Sequence, residues 1–80
     1  MSLKLVFLGR LADIAQAPER AVETVPSIAS LLAGLEPDLS AMLGAEKIKI
    51  AVNGKIVVDR AVFTLRDGDE VAFLPPVSGG

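Results

Sequence analysis

The sequence contains no cysteine and no histidine among its 80 residues. Without cysteine the chain cannot build a disulfide framework, an iron–sulfur cluster or a thiolate nucleophile. Without either residue it also lacks an ordinary Cys/His zinc site and a histidine general base. Candidate chemistry is restricted to carboxylates, lysines and hydroxyl groups. We therefore expect no metal site, no bound cofactor and no catalytic site belonging to this chain alone.

Basic charge and long apolar runs are also scarce. The net charge is −2 and Lys and Arg are not clustered, so we expect no binding to nucleic acid. The apolar run at residues 3–8 is too short to cross a membrane and lacks the basic start and cleavage site of a signal peptide. We expect a cytoplasmic protein without a membrane partner.

Aromatic residues are limited to three Phe, yet 51% of the chain is apolar. Eighty residues make one small domain, which buries a smaller fraction of its surface than a large domain does. Some apolar side chains must then remain at the surface, and a cluster of them would indicate a binding site for a partner protein.

The first half of the chain predicts two strands and one main helix. A strand is expected at residues 3–8, a short helix bearing Leu11, Ile14 and Ala15 before Pro18, and a second strand within 19–25. Ser27 is a suitable N-cap for the main helix at 27–35. Beyond Pro37 we expect at most a short turn at 39–43.

The second half predicts three strands. Residues 47–52 alternate at period two, and Asn53-Gly54 before residues 55–58 predicts a hairpin with a type I′ turn. A turn at 66–69 leads into the last strand at 70–74. The order ββ-α-ββ-β predicts an α+β fold, the ubiquitin-like β-grasp, with a mixed sheet of about five strands crossed by one main helix and the first and last strands parallel at its centre.

Strand alternation assigns side chains to two faces of this sheet. Lys4 and Glu70 mark the outer face because they are charged. The core side then receives Leu3, Leu5, Phe7, Ile48, Ile50, Val52, Val57, Val71 and Phe73. The outer side receives Val6, Leu8, Lys49, Ala51, Ile56, Ala72 and Leu74, which places several apolar residues beside the end of the last strand.

The sequence divides into a β-grasp domain at 1–74 and an extended tail at 75–80. Pro75 and Pro76 cannot continue a sheet ladder, and Gly79-Gly80 can enter a channel too narrow for a Cβ atom. By itself, a terminal Gly-Gly could simply be a frayed chain end, because termini are commonly disordered. Directly after a β-grasp pattern, however, it makes the carboxylate of Gly80 the expected reactive group.

The ending of the chain resembles that of a known family. Residues 67–80 read Asp-Gly-Asp-Glu-Val-Ala-Phe-Leu-Pro-Pro-Val-Ser-Gly-Gly. This segment is similar to the small, sulfur-carrying subunit of molybdopterin synthase, the MoaD family. The Pro-Ser start of the main helix and the Val52-Asn53 hairpin are similar too, so the resemblance extends over essentially the whole chain.

The resemblance implies a cycle of activation and sulfur transfer. An E1-like adenylating enzyme would use ATP to activate Gly80, and a sulfur donor would convert the product to a thiocarboxylate. The tail, Pro75, Pro76, Val77, Ser78 and Gly79, would then enter the large subunit of molybdopterin synthase, where the sulfur passes to cyclic pyranopterin monophosphate. By the same resemblance Leu8, Ile56 and Leu74 would dock this partner.

Three alternatives stay open. A thiamine-pathway sulfur carrier has the same fold and ending, although it does not typically carry Pro75-Pro76-Val77. A ubiquitin-like protein modifier would use the same carboxylate, and a non-covalent β-grasp interaction module would not need it. Asp67, Asp69 and Glu70 form the one cluster of carboxylates, and we interpret them as a solvated turn rather than a catalytic or metal site.

Overall fold

The computed structural model describes residues 1–76 of the chain. Within this range the chain forms five strands and three helices, and none of these helices is long and apolar enough to span a membrane. The elements are β1 (Ser2–Phe7), α1 (Arg10–Ala15), β2 (Glu19–Glu23), α2 (Ile28–Ala33), α3 (Pro37–Leu43), β3 (Lys49–Val52), β4 (Lys55–Ile56) and β5 (Glu70–Leu74).

The strands form one mixed sheet in the order β2-β1-β5-β3-β4. The first and last strands are parallel neighbours, as predicted, with Leu5 paired to Val71 and Phe7 to Phe73. The other pairs are antiparallel. The sheet and its helices confirm the predicted ubiquitin-like β-grasp fold.

The core lies on the inner face of the sheet, as strand alternation predicted. Leu3, Leu5 and Val71 are fully buried, and the rings of Phe7 and Phe73 stack with centroids 5.7 Å apart and planes inclined by 11°. Burying one such aromatic side chain contributes about 2–3 kcal/mol. These strands therefore hold the centre of the sheet firmly under the helices.

The main helix starts at its predicted cap. The hydroxyl oxygen of Ser27 accepts a hydrogen bond of 3.1 Å from the amide of Ser30, and Ile28 and Leu31 are buried against the sheet. The helix is six residues long and ends at Gly34. Leu32 is only partly buried, at the edge of the core.

The prediction of a short turn at 39–43 is wrong, because this segment belongs to the seven-residue helix α3. Pro37 stands in the first turn of α3, where its missing N–H costs nothing, so it starts this helix as well as separating it from α2. Leu39 and Leu43, four residues apart, are both buried. Burial of this one face stabilises the helix, although the sequence of the segment by itself shows little helical pattern.

Smaller differences concern α1 and the hairpin. Ile14 is 53% exposed, because the short helix turns only Leu11 and Ala15 towards the core. Asn53 and Gly54 have φ of 52° and 86°, which agrees with the predicted type I′ turn. Strand β4 ends at Ile56, two residues early, although the amide of Val57 still donates to the Ile50 carbonyl at 2.8 Å.

Candidate functional site

An apolar row crosses the outer face of the sheet. Val6 of β1 lies opposite Ala72 of β5, Ala72 opposite Ala51 of β3, and Ala51 opposite Ile56 of β4. Ala51 is 93% buried on this outer face, because it lies between the flanking Ala72 and Ile56. We call the surface formed by this row with its two neighbours the outer apolar face: Val6, Leu8, Ala51, Ile56, Ala72 and Leu74.

The three predicted docking residues lie on this face. Leu8 is 41% exposed and Ile56 52% exposed, while Leu74 is half-buried. The amide of Leu8 donates to the Phe73 carbonyl at 3.1 Å, which continues the β1–β5 pairing for one residue and keeps Leu8 beside Leu74. The structure therefore brings these side chains to one surface, and their role in docking stays a prediction.

Charged residues border the outer apolar face: Lys4 and Glu70 at the end remote from the tail, and Glu19 beside Val6. The Nζ of Lys4 lies 3.3 Å from Glu19 Oε2 and 3.8 Å from Glu70 Oε2, with all three side chains about half exposed. Exposed ion pairs of this kind contribute only about 0–1 kcal/mol. Lys49, which pairs with Leu74, adds a charge beside the end of β5, so the outer apolar face is flanked by charged side chains on more than one side.

An open groove continues this surface beyond β4. It has a volume of about 610 Å³ and is lined in part by Lys49, Ile56 and Val58. Val58 is 95% exposed. The guanidinium of Arg60, on the groove wall, donates to the Ile48 carbonyl and ties this loop to β3. The groove lining thus combines the exposed Ile56 and Val58 with charged side chains, among them Glu46 and Asp59.

The tail leaves the domain at the apolar end of β5. Leu74 is the last residue of β5 and pairs with Lys49 of β3. Pro75 is partly buried against Gly9, and Pro76 is exposed. The predicted tail residues Val77, Ser78 and Gly79 and the predicted reactive residue Gly80 lie outside the described residues.

The acidic turn at the other end of β5 is a structural element. Asp69 Oδ1 accepts a hydrogen bond of 2.9 Å from the side-chain amide of Asn53, and Asp69 Oδ2 accepts one of 2.9 Å from the Arg66 amide. The Asn53 bond, followed by the Arg66 bond, holds the pKa of Asp69 below its usual value. No group of three or more carboxylates suited to a metal occurs within residues 1–76.

Sequence reasoning missed two of these contacts. The bridging side chain of Asn53 was read only as a turn former, since its partner lies 16 residues away. The contact between Gly9 and Pro75 was also missed. A glycine placed between a strand and a helix was the one available signal, and it does not identify its neighbour in space.

Comparison with known proteins agrees with the β-grasp fold described above. The ThiS family profile matches residues 5–80. No curated protein sequence matches the chain. Small archaeal modifier protein 1 from Methanosarcina acetivorans is 27% identical with a TM-score of 0.79, and the alignment covers 99% of this chain and 96% of that one.

Two further structures share the fold. Subunit 1 of the putative molybdopterin converting factor from Pyrococcus furiosus is 24% identical with a TM-score of 0.75, covering 96% of this chain and 99% of that one. A complex of subunits 1 and 2 of the molybdopterin-converting factor from Helicobacter pylori contains a chain 24% identical with a TM-score of 0.70, and both chains are covered fully. With the family profile spanning nearly its whole length, the chain belongs to the ThiS family of ubiquitin-like sulfur carriers.

Proposed function

We propose that this protein is the sulfur-carrying subunit of a molybdopterin synthase. The Gly80 carboxylate attacks the α-phosphorus of ATP on an E1-like enzyme and releases pyrophosphate. Hydrosulfide supplied by a sulfur donor then attacks the acyl carbon, so that a C–S bond forms, the C–O bond to AMP breaks and AMP leaves. The product is a thiocarboxylate, whose sulfur is nucleophilic without any cysteine in the chain.

Transfer follows in the partner's active site. The thiocarboxylate sulfur attacks a carbon of cyclic pyranopterin monophosphate, so that a C–S bond forms while the C–O bond at that carbon breaks and its oxygen leaves. Water then cleaves the acyl–sulfur bond, which returns the Gly80 carboxylate and leaves the sulfur on the substrate. Repeating the cycle supplies the second sulfur of the dithiolene. The partners provide the acid–base and phosphate-stabilising groups, and this chain provides delivery and docking in the cytoplasm.

The observation that carries the proposal is the position of the outer apolar face at the exit of the tail. Leu8 lies beside Leu74, the last residue of β5, and Ile56 lies on the same surface. A partner bound there would receive the tail directly, with Pro75, Pro76, Val77, Ser78 and Gly79 leading Gly80 inward. The complex of two subunits in Helicobacter pylori supports a large-subunit partner.

Intact mass spectrometry tests the chemistry. The full chain is incubated with an E1-like adenylating enzyme, ATP and a sulfur donor, and we expect one oxygen to be replaced by sulfur at the C-terminus. Omission of ATP is the control. The loaded chain is then mixed with the large subunit and cyclic pyranopterin monophosphate, and formation of molybdopterin is measured. A loaded chain that forms none, but supports thiazole synthesis, would indicate the thiamine pathway instead.

A second candidate is conjugation to other proteins. It is favoured by the 27% identity to small archaeal modifier protein 1 from Methanosarcina acetivorans. The same activated Gly80 carboxyl would then acylate a lysine amine. Peptide mass spectrometry of tryptic digests distinguishes the two candidates, because conjugation leaves a segment of this tail attached to lysines of other proteins and sulfur transfer leaves none.

A further inference from the structure

The turn between β1 and α1 touches the first residue of the tail. Gly9 has φ of 55° and ψ of −132°, a conformation that glycine adopts readily and L residues rarely do. A Cβ atom built on Gly9 would lie 3.2 Å from Pro75 Cγ and 3.9 Å from Pro75 Cδ. The proline ring thus rests against the glycine, and a side chain here would have to push it away.

The surrounding backbone makes this contact well defined. The amide of Leu8 is bonded to the Phe73 carbonyl at 3.1 Å, so the chain on either side of Gly9 is tied to the end of β5. On its other side, the Gly9 carbonyl accepts from the Ala12 amide at 3.2 Å in the first turn of α1. Gly9 therefore stands in a fixed position beside the point where the tail begins.

We propose that Gly9 is a positioning residue for the tail, since its missing side chain lets Pro75 seat against the β1–α1 turn and so sets the direction in which the chain leaves the domain at Pro76. The inference rests on the proposed function of the tail. It adds a residue 66 positions away from Pro75 in sequence to the parts of the chain that control delivery of Gly80.

A small displacement at Pro75 changes the direction in which the chain leaves the domain. Moving Pro75 by about 0.4 Å around Leu74, about 3.8 Å away, turns this direction by about 6°. A misplacement on the order of 1 Å costs up to about a hundredfold in rate when reacting groups must be aligned. Contact with a single methyl group would therefore slow the chemistry at Gly80.

The experiment compares Gly9→Ala with Gly68→Ala in the full chain. Gly68, at the opposite end of β5, has φ of 84°, and its Cβ would meet nothing within 4 Å. This control thus introduces a side chain at positive φ without touching the tail. Adenylation is measured as ATP–pyrophosphate exchange with an E1-like adenylating enzyme, and thermal unfolding is recorded for each variant.

We expect Gly9→Ala to lower the kcat of exchange about tenfold to a hundredfold with little change in KM, because docking is retained and alignment is lost. Gly68→Ala should keep the wild-type rate. Removing the clashing ring atoms in the double variant Gly9→Ala/Pro75→Ala should restore part of the rate relative to Gly9→Ala. Because relief of a merely destabilising clash would also raise the rate, the rescue supports positioning when thermal unfolding shows that Gly9→Ala and the double variant are equally folded at the assay temperature.

Equal exchange rates for Gly9→Ala and Gly68→Ala would overturn the inference, as would a double variant no faster than Gly9→Ala. If Gly9→Ala unfolds, nuclear Overhauser effects between the Gly9 Hα protons and the Pro75 ring in the unaltered chain decide the matter, and their absence overturns it. Failure of the proposed function is separate, since the unaltered chain itself would then show no exchange.

Discussion

The side chain of Asn53 joins the β3–β4 hairpin to the turn before β5. Its Nδ2 donates to Asp69 Oδ1 at 2.9 Å, and its Oδ1 accepts from the Glu70 amide at 3.0 Å. The Asn53 amide also donates to the Glu70 carbonyl at 2.8 Å. One residue thus forms a tight turn and fixes the start of the strand that leads to the tail.

Replacing Asn53 by Gly tests this bridge, because glycine accepts the positive φ and removes only the side-chain bonds. We expect the free energy of unfolding to fall by about 1–2 kcal/mol, measured by urea denaturation. Asp67→Ala is the matched control, since this exposed carboxylate takes no part in the bridge. Equal losses of unfolding free energy in the two variants would contradict the role of Asn53 as a bridge.

The ion pair between Arg20 and Glu36 should be visible in an acid titration. Two bonds of 2.8 and 3.1 Å from the Arg20 guanidinium, together with a backbone hydrogen bond, lower the pKa of Glu36 from 4.5 to about 2. Because the folded-state pKa is the lower one, the stabilisation is present above pH 4.5 and is lost as the pH falls towards 2.

Nuclear magnetic resonance of the Glu36 carboxyl carbon measures this shift. Arg20→Gln should return the pKa towards its usual value, and Glu23→Gln on the same strand should leave it unchanged. Added salt should also raise the pKa, since the pair is solvent-exposed and screened. A Glu36 that titrates normally in the unaltered chain would show that the pair is not populated in solution.

Charge placed on the two faces of β1 should have different effects. Leu8→Asp puts a charge on the outer apolar face, and we expect at least a tenfold loss of affinity for the large subunit, with stability nearly unchanged. Leu74→Asp should behave similarly. Binding is measured by calorimetry.

Phe7→Asp and Phe73→Asp are the contrasting variants, since both rings are buried in the core. Each substitution should lower the free energy of unfolding by more than about 4 kcal/mol and so unfold the domain. If Leu8→Asp destabilises the fold as much as Phe7→Asp, the assignment of the faces cannot stand. Stable folding with normal partner affinity in Leu8→Asp would remove Leu8 from the docking site.

The prediction for the tail separates the steric fit of Gly79 in a partner from the reactivity of the Gly80 carboxylate. Gly79→Val leaves the Gly80 carboxylate intact but adds a branched side chain where we expect a narrow channel, so adenylation and transfer should slow by about a hundredfold. Gly79→Ala should slow them less. Thermal unfolding should not change, because the substitution lies beyond β5.

Deletion of Gly80 is the reference for complete loss, since it removes the reacting residue and leaves the domain. Sulfur loading should vanish in this variant by intact mass spectrometry. Wild-type rates for Gly79→Val in both steps would mean that no partner encloses this residue closely. Loading that survives the deletion would refute the carrier function itself.

The features that could be predicted are those with a local cause. Period-two alternation determined that Leu5 and Val71 are buried while Lys4 and Glu70 are exposed, because successive side chains of a strand must point to opposite faces. Asn53-Gly54 determined the hairpin turn through its tolerance of positive φ. At α3 the prediction was wrong, because Pro37 was interpreted only as the end of one helix and not as the first-turn residue of the next.

Only the tertiary structure decided which distant residues meet. The strand order determined that Ala72 lies between Val6 and Ala51, which joins three strands into the outer apolar face. The parallel pairing of β1 with β5 was predicted, but only the structure gave the register that places Gly9 against Pro75. Periodicity fixes the face on which a side chain lies but not the neighbour across the sheet, because that neighbour depends on strand register and on closure of long loops.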